Sequence, residues 1–315
     1  MESGVLVVFE GVFTGNGAVA RASSASVQSR GHGGAVAYLG ANNGGVLVDD
    51  GTFIDNLAGR SQCDGSLQRP VCALQGWGGA LYTRAASTEL RTSVFSGNRA
   101  MLGGAAMLEG SGGNIVRRLS LENSALYASF SFQGAFALSG SDARLRQRNS
   151  TLHNVEVGDA FDTAFLYLSQ GAQVEASHSM LFGSVHVQSP GAGVQRHCWR
   201  NSEGWTVPIQ GSSLIVESAL NGSAHSCSFL GTTPIASAHL AGLEENGSSA
   251  IGPGLAVDNG APGTPSALDW SRCAPRDFYN LVRPRDGDGD GDARCDIGAV
   301  ERDTYTPHLF GNGFE

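Results

Sequence analysis

Aspartate alternating with glycine near the carboxyl end gives the chain its best candidate cation ligands. Residues 286–292 read Asp-Gly-Asp-Gly-Asp-Gly-Asp, and a further aspartate stands at position 296. Glycine lets carboxylates converge in a tight loop, and hard oxygen ligands of this kind suit Ca²⁺. Ile297 stands where an EF-type loop would carry its last acidic ligand, so a frame shifted by two residues spaces the oxygens better. We predict a structural Ca²⁺ site, with a solvated acidic turn as the alternative, from Asp286, Asp288, Asp290, Asp292 and Asp296.

Five arginines form a second candidate site, namely Arg117, Arg118, Arg144, Arg146 and Arg148. In the run 144–148 the arginines alternate with Leu145 and Gln147, so a strand would place the arginines on one face and the other two residues on the opposite face. A stack of such strands would form a basic stripe suited to an anionic glycan. A merely solvated charged face is the alternative.

Three other groups could do acid–base chemistry, but each has a simpler structural interpretation. Asp49 with Asp50, and Asp159 with Asp162, lie where turns or connectors are expected, and His153, His178 and His186 are irregularly spaced. Gly31-His32-Gly33 resembles a triplet of polygalacturonases. That family also carries an upstream aspartate pair and an Arg-x-Lys, whereas residues 1–30 contain no aspartate and the chain has no lysine. We expect no catalytic residues.

The elements that would position these residues come from two recurring signals. Gly-Gly-Ala occurs at 33–35, 78–80 and 103–105, and Phe-x-x-Asn at 13–16, 53–56 and 95–98. Each unit, such as Ala80 to Asn98 or Ala105 to Asn123, is too short to bury a face alone. Stacked units would share one apolar interior. The predicted fold is all-β, a single-stranded right-handed parallel β-helix with an irregular, disulfide-stapled carboxyl-terminal cap.

The repeated residues have predicted structural roles. Glycine reaches positive φ at a corner, and the neighbouring alanine leaves room where the wall turns. Asparagine tolerates the left-handed conformation and can stack as a ladder between units. The residues assigned to this framework are Gly34, Ala35, Phe53, Asn56, Gly79, Ala80, Phe95, Asn98, Gly104 and Ala105, with Asn16 extending the asparagine series.

Both ends of the pattern resemble bacterial exported proteins. The two signals, over about residues 10–185, resemble the repeats of polymorphic outer-membrane proteins, whose passengers are right-handed parallel β-helices. Arg283-Pro284, the aspartate run and Asp296-Ile-Gly-Ala-Val-Glu301 resemble the terminal segment of secreted β-helix proteins of the choice-of-anchor Q type. The resemblance implies an extracellular or surface location in a Gram-negative bacterium and assigns no biochemical activity.

Composition excludes several function classes. The chain has 45 glycines, 16% charged residues and a net charge of −9. Because nucleic acid is itself negatively charged, this net charge argues against a nucleic-acid-binding protein. No apolar run is long enough for a membrane helix. Because all basic residues are arginine, lysine-dependent chemistry is excluded. We expect a monomer that requires no cofactor.

The six cysteines suit disulfides formed in an oxidising compartment. We predict the pairs Cys63–Cys72, Cys198–Cys227 and Cys273–Cys295, although sequence alone leaves about 15 connectivities open. No signal peptide is recognisable, and because Val5 to Phe13 runs directly into the first Phe-x-x-Asn, the chain is expected to begin inside a truncated unit.

Composition shifts divide the chain into three parts. Residues 1–251 form the predicted β-helix, with a loop insertion at about 59–77 and an irregular segment at about 190–212. Residues 252–302 form a Pro/Gly-rich strap and acidic cap, and residues 303–315 a tail. The function predicted for the whole is a non-catalytic adhesive or interaction surface for a glycan or cell-surface protein. The alternative is a lyase or hydrolase of acidic polysaccharide.

Overall fold

The chain coils through three parallel sheets. The computed structural model describes residues 4–20, 31–40, 43–60, 76–127, 130–153, 156–157, 163–182, 185–186, 196–201, 210–212, 214–217, 232–235, 240–243, 249–251, 258, 260 and 262–302. Within these residues every regular element is a strand, and only the pair β30 (Leu240–Leu243) and β31 (Ser249–Ile251) is antiparallel. The predicted parallel β-helix is therefore confirmed.

Each turn of the coil, here called a rung, contributes strands to sheets A, B and C in sequence. Sheet A contains β1 (Val5–Phe9), β6 (Gly45–Asp49), β11 (Ser87–Arg91), β15 (Arg117–Glu122), β19 (Ala143–Arg148), β23 (Gln173–Ser177) and β27 (Gln210–Ser212). Sheet B contains β2 (Val12–Thr14), β7 (Thr52–Ile54), β12 (Val94–Ser96), β16 (Ala125–Tyr127), β20 (Thr151–His153), β24 (Met180–Phe182), β28 (Leu214–Glu217) and β29 (Thr232–Ile235).

Sheet C is bent, so a single rung contributes two or three strands to it. Before the bend lie β3 (Gly17–Ala20), β4 (Gly31–His32), β8 (Leu57–Arg60), β9 (Gly76–Trp77), β13 (Arg99–Leu102), β17 (Phe130–Gln133), β21 (Glu156–Val157) and β25 (Val185–His186). After it lie β5 (Val36–Tyr38), β10 (Leu81–Thr83), β14 (Ala106–Glu109) and β18 (Phe136–Ser139), while β22 (Thr163–Ser169) and β26 (Arg196–Asn201) are single longer strands.

The Gly-Gly-Ala signal forms the bend in sheet C, and its two glycines have different roles. Gly78 adopts a φ of 67°, a value that residues with a side chain rarely adopt. A Cβ on Gly79 would collide with the carbonyl oxygen of Gly104 in the next rung. The first glycine therefore makes the turn, and the second lets neighbouring rungs approach closely.

The Phe-x-x-Asn signal forms two stacks. The rings of Phe13, Phe53 and Phe95 lie nearly parallel, with centroids 4.9 Å apart at each step. The Asn98 side-chain oxygen accepts hydrogen bonds from the backbone N–H (3.1 Å) and side-chain amide (2.8 Å) of Asn56, and Asn56 receives the same pair from Asn16. The predicted asparagine ladder is confirmed.

A second ladder, which the repeat signals did not reveal, lies in the turn from sheet A to sheet B. Left-handed residues occupy equivalent positions there, with φ between 47° and 57°: Glu10, Asp50, Thr92, Asn123, Asn149 and His178. The next residue in later rungs is serine, and Ser93, Ser124 and Ser150 each donate a backbone N–H to the serine oxygen of the following rung. Aligning Asn123 with Asn98 was therefore wrong, because Asn123 belongs to this turn.

Alternation decides which side chains enter the core. In sheet A two columns of side chains point inward. One runs from Val46 through Leu119 and Leu145 to Val174, and the other contains Val48 and Leu121. Gln147 also faces inward, as its spacing from Leu145 predicted, and is 1% exposed. Most of the buried apolar residues of the three sheets form one continuous interior cluster.

One predicted boundary needs correction. The segment about 190–212 was expected to be irregular, yet Arg196–Asn201 forms β26 and pairs with β22, and Gln210–Ser212 forms β27 in sheet A. The physical reason is that a long neighbouring strand offers a backbone edge that local turn propensity does not reveal. Most of the predicted insertion, residues 61–75, and the tail beyond residue 302 lie outside the described residues.

Replacing an inner member of the asparagine ladder is expected to destabilise the coil. Asn98→Ala removes the acceptor of two hydrogen bonds and leaves buried donors of Asn56 unpaired, so we expect the free energy of unfolding to fall by about 1–3 kcal/mol. Chemical denaturation measures this loss. Asn16→Ala, at the exposed end of the ladder, is the matched control and should change stability by less than about 0.5 kcal/mol. Equal losses in the two variants would contradict the ladder.

Candidate functional site

The five predicted arginines lie on sheet A, but they do not form a uniform basic stripe. Arg118 on β15 is the register partner of Arg144 on β19, so these two side chains stand side by side on the outer face. Arg146 stands beside Ser120 and Glu175, while Arg148 stands beside Glu122. What each arginine contacts separates the five into two groups.

Arg117 is turned toward a buried carboxylate. Its Nε lies 3.5 Å from Oδ2 of Asp142, and both side chains are almost fully buried. Asp142 also accepts hydrogen bonds from the N–H groups of Ser111 and Gly112, both 3.0 Å long. Burial alone would raise the pKa of Asp142, but the hydrogen bonds from Ser111 and Gly112 outweigh it and lower that pKa. Asp142 therefore fixes the loop that precedes β15, at Ser111 and Gly112, and Arg117 compensates the charge of this buried carboxylate.

Arg148 is fully buried and anchors a distant segment. It pairs with Glu122, and its Nη1 donates to the carbonyl oxygens of Ser266 at 2.5 Å and Asp269 at 3.2 Å. Its guanidinium carbon lies 4.6 Å from the centre of the Trp270 ring. The charge of this arginine is therefore used within the molecule.

Arg118, Arg144 and Arg146 remain on the surface. Arg146 pairs with Glu175 at 2.6 Å and lies 5.1 Å from the Trp270 ring centre. Arg144 donates to the carbonyl oxygens of Ser141 and Ala143. Among the described residues, Arg118 and Arg144 have no carboxylate within ion-pair distance. In the part of the chain that the structure describes, these two are the arginines of the predicted stripe that form no ion pair.

Residues 258, 260 and 262–302, here called the docked segment, lie along the side of the coil. Asn123 donates to the carbonyl oxygen of Arg276 at 2.7 Å, and Asn149 accepts from the N–H of Ala274 at 2.7 Å. One rung further, the carbonyl oxygen of His178 accepts from Gly298 N–H at 2.8 Å. The segment thus spans three successive rungs at the turn between sheets A and B.

A buried arginine organises the interior of the docked segment. Arg283 donates to Glu301 (2.6 Å) and to the carbonyl oxygens of Asp296, Gly298 and Ala299, all within 3.1 Å. Asp296 accepts from the N–H groups of Asp258 and Arg302. Burial, followed by the neighbouring Glu301, raises the pKa of Asp296 to about 7. The residues that resemble a secreted-protein motif are therefore the core of this segment.

Only part of the predicted Ca²⁺ set converges. Asp286 and Asp288 each place an oxygen within 4.8 Å of an oxygen of Asp258 and of each other. Asp290 and Asp292 are exposed, and Asp292 pairs with Arg294 at 2.7 Å. Asp296 is buried beside Arg283 and Glu301, and its carboxylate accepts from the backbone N–H of Asp258 without joining the converging oxygens of the trio. The structure thus brings together two of the five predicted ligands, and Ca²⁺ binding stays a prediction.

Sequence inspection missed Asp258, which organises the acidic loop. Its oxygens accept from the N–H groups of Gly287, Asp288 and Arg294 at 2.8–3.1 Å. The available signal was Asp258-Asn-Gly260, a turn sequence inside the stretch interpreted as a strap. Trp270 was likewise missed, because its neighbours on sheet A are distant in sequence.

The cysteine prediction is confirmed for one pair. Cys273 and Cys295 form a disulfide that closes the docked segment. Cys63, Cys72 and Cys227 lie outside the described residues, as does the side chain of Cys198. Their pairing stays a prediction.

The residues considered for catalysis lie apart. His32 stacks on Tyr82 with ring centres 4.4 Å apart, and its glycine neighbour Gly33 makes the sheet C bend. His153 belongs to sheet B, His178 to the A–B turn and His186 to sheet C, so they do not share a wall. Asp50 is a left-handed turn residue, and Asp159 and Asp162 lie outside the described residues.

Comparisons with known proteins give no further guide to function. No family model, curated protein or solved structure matches this chain. In the part of the chain that the structure describes, no helix has the length and apolar character to cross a membrane.

Neutralising Asp142 should destabilise the protein and alter its acid sensitivity. Because the folded-state pKa of Asp142 lies below its ordinary 3.8, its contribution to stability is present above that pH and is lost as the pH falls through the lowered value. Asp142→Asn also leaves Arg117 buried without its carboxylate, for an expected loss of about 3–5 kcal/mol near neutral pH. Denaturation from pH 2 to 7 should show a shallower acid-induced decline in the variant. An unchanged pH profile would contradict the assignment.

Calcium should raise thermal stability if the sequence-based prediction is correct. At a hundredfold excess over its dissociation constant, Ca²⁺ would add about 2.7 kcal/mol, a shift visible by calorimetry. Asp258→Asn should abolish the shift, because Asp258 belongs to the converging trio. Asp292→Asn, outside the trio, is the control and should retain it. If millimolar Ca²⁺ does not change the thermal stability of the unmodified protein, the aspartate run is a solvated acidic turn and not a Ca²⁺ site.

Proposed function

We propose that this chain is a non-catalytic β-helix protein of the bacterial cell exterior whose outer sheet A face binds an anionic glycan. One observation carries the proposal: Arg118 and Arg144 stand in register on adjacent rungs, and neither has a carboxylate partner among the described residues. Neighbouring strands of a sheet lie about 4.8 Å apart, so the two guanidinium groups can engage one ligand together.

The surroundings favour a carboxylate ligand. The column that contains Arg118 and Arg144 continues through Gly45, Ser87 and Gln173, none of which is acidic. A guanidinium group matches the geometry of a carboxylate and binds it through two parallel hydrogen bonds. An array of uronic acid residues would present such carboxylates repeatedly along an extended polymer.

Because the net charge is −9, the protein as a whole does not attract an anionic glycan, and attraction must come from arginines close to the ligand. Charges further than about 8 Å from the ligand are largely screened at physiological salt. Binding therefore depends on the few arginines in contact. It should be weak for a single site and stronger where several molecules displayed on one surface engage the same polymer. The acidic remainder of the surface disfavours non-specific polyanion binding.

Trp270 adds an apolar edge to this face. The half-buried indole lies against Arg146 and Arg148 at the seam between sheet A and the docked segment. Aromatic rings with one polar edge are common where a ligand has both apolar and polar surfaces. A sugar ring could therefore stack near Trp270 while its carboxylate reaches Arg144.

The disulfide supports the proposed location. Cys273–Cys295 would persist in an oxidising compartment and is uncommon in a reducing cytosol. Together with the resemblance of its repeats and terminal segment to exported proteins, this favours display outside the cell. We propose that the protein acts there as a monomer and without a catalytic cofactor.

Arginine substitutions test the glycan face. The double variant Arg118→Ala/Arg144→Ala should weaken binding to polygalacturonate or alginate by about tenfold or more, the expected loss for charge-assisted hydrogen bonds. Surface plasmon resonance at two salt concentrations measures both the affinity and its salt dependence. Arg91→Ala is the control, because Arg91 lies on the same sheet but pairs with Glu89 at 2.6 Å.

Two outcomes would overturn the proposal. If no acidic glycan binds, or if Arg91→Ala weakens binding as strongly as the double variant, the Arg118–Arg144 pair is not the site. Release of reducing sugar, or absorbance from unsaturated uronate, would instead identify the lyase or hydrolase that the sequence left as an alternative.

A further inference from the structure

Trp270 lies over the outer face of sheet A, displaced along β19 from the arginine pair Arg118–Arg144. Its ring centre is 5.1 Å from the guanidinium carbon of Arg146 and 4.6 Å from that of Arg148. A strand advances by about 3.3 Å per residue, so the positions of Arg146 and Arg148 lie roughly 7 and 13 Å beyond Arg144. A sugar that reaches Arg144 with its carboxylate therefore leaves most of the indole to the next sugar of the ligand.

Contacts with the coil fix Trp270 in this position. Arg148, fully buried beneath the ring, donates to the carbonyl oxygens of Ser266 and Asp269, just before the tryptophan in the chain. Ser177 on β23 donates its hydroxyl to the carbonyl oxygen of Trp270 at 2.7 Å. Because the ring is held before a ligand arrives, binding loses little side-chain entropy. Since Arg148 lies against one side of the ring, the exposed part of the indole is directed outward.

The charges around Trp270 already have partners. Arg146 pairs with Glu175 at 2.6 Å. Asp269, which precedes Trp270 in the chain, pairs with Arg272 at 3.2 Å. Positive and negative charges therefore cancel around the indole. The arginine pair differs, because neither of its members has a carboxylate partner among the described residues.

This difference makes the two parts of the surface suit different sugars. The carboxylates of Glu175 and Asp269 are about half exposed, so they would lie close to a ligand placed over the ring. A ligand carboxylate there would have to compete with Glu175 for Arg146 and would be repelled by both acidic side chains. The arginine pair instead presents two positive charges. An acidic sugar is therefore favoured at the pair and a neutral sugar at the ring.

A neutral sugar also suits the indole itself. A pyranose ring carries C–H groups on its faces and hydroxyl groups around its edge. An aromatic ring can cover such an apolar face, which removes apolar area from water, while the hydroxyl groups remain hydrated. Stacking of this kind needs no charge on the sugar.

We propose that this surface recognises an acidic sugar followed by a neutral sugar, with the ligand running across the coil along β19. The carboxylate of the acidic sugar binds Arg118 and Arg144, and the neutral sugar stacks on Trp270. Glu175 selects against a second charge. The favoured ligand is thus a polysaccharide in which uronic acid and neutral sugar alternate, in preference to an uninterrupted polyuronate. This specificity rests on the glycan binding proposed above.

Two tetrasaccharides test the preference. One alternates glucuronic acid with N-acetylglucosamine, and the other is tetragalacturonate. In calorimetric titration the alternating tetrasaccharide should bind at least about threefold tighter, although it carries half the charge. Trp270→Ala should weaken its binding about fivefold and change that of tetragalacturonate by less than about twofold. Trp270→Phe should restore most of the affinity, because it keeps an aromatic face.

Removal of one carboxylate tests the selection against a second charge. Glu175→Gln frees Arg146 and removes a repelling charge, so tetragalacturonate should bind about tenfold tighter. Binding of the alternating tetrasaccharide should change by less than about twofold. Glu89→Gln is the matched control, because Glu89 is also an exposed partner of an arginine on sheet A, Arg91. This control should change neither affinity.

The outcomes distinguish this specificity from glycan binding itself. If neither tetrasaccharide binds the unmodified protein, both proposals fail. If binding requires Arg118 and Arg144 but is unaffected by Trp270→Ala and Glu175→Gln, glycan binding stands and the alternating specificity is wrong. Tighter binding of tetragalacturonate by the unmodified protein would also overturn the specificity. So would an equal gain from Glu89→Gln, which would show that only the net charge matters.

Discussion

The structure depends on holding equivalent residues of successive rungs in register. The Phe13–Phe53–Phe95 stack, the asparagine ladder and the serine ladder all require the same register, and the strands of all three sheets share it. A slip by one residue would turn every inward side chain outward. The ring stack and the two ladders therefore act together, and a local error in one is opposed by the other two.

This constraint leaves the outer columns free to vary. The inward column through Val46 and Leu119 stays apolar or small, whereas the outward column changes from Gly45 to Ser87, Arg118, Arg144 and Gln173. Chemistry that differs between rungs is consequently found on the outside, where it does not disturb packing. The paired arginines occur at such a permissive position.

The sequence predicted the architecture better than the contacts of its charged residues. Glycine bends and the Phe-x-x-Asn ladder followed from local repeats, and they were correct because neighbouring rungs satisfy them. The burial of Arg148 could not be predicted in this way, since its partners Ser266 and Asp269 come from a remote segment. Alternation gave the face on which Arg148 lies, but not what would cover that face. Asp258 was missed for the same reason, because its loop contacts lie about thirty residues away.

The docked segment also affects how the coil would respond to mechanical load. A bare solenoid pulled from one end can lose its rungs one after another, each step breaking one set of strand contacts. Here Asn123, Asn149 and His178, on three successive rungs, are bonded to the same crosslinked segment. Tension along the axis would strain these bonds in shear simultaneously, so this stretch should yield as a block and at a higher force than the rungs before it.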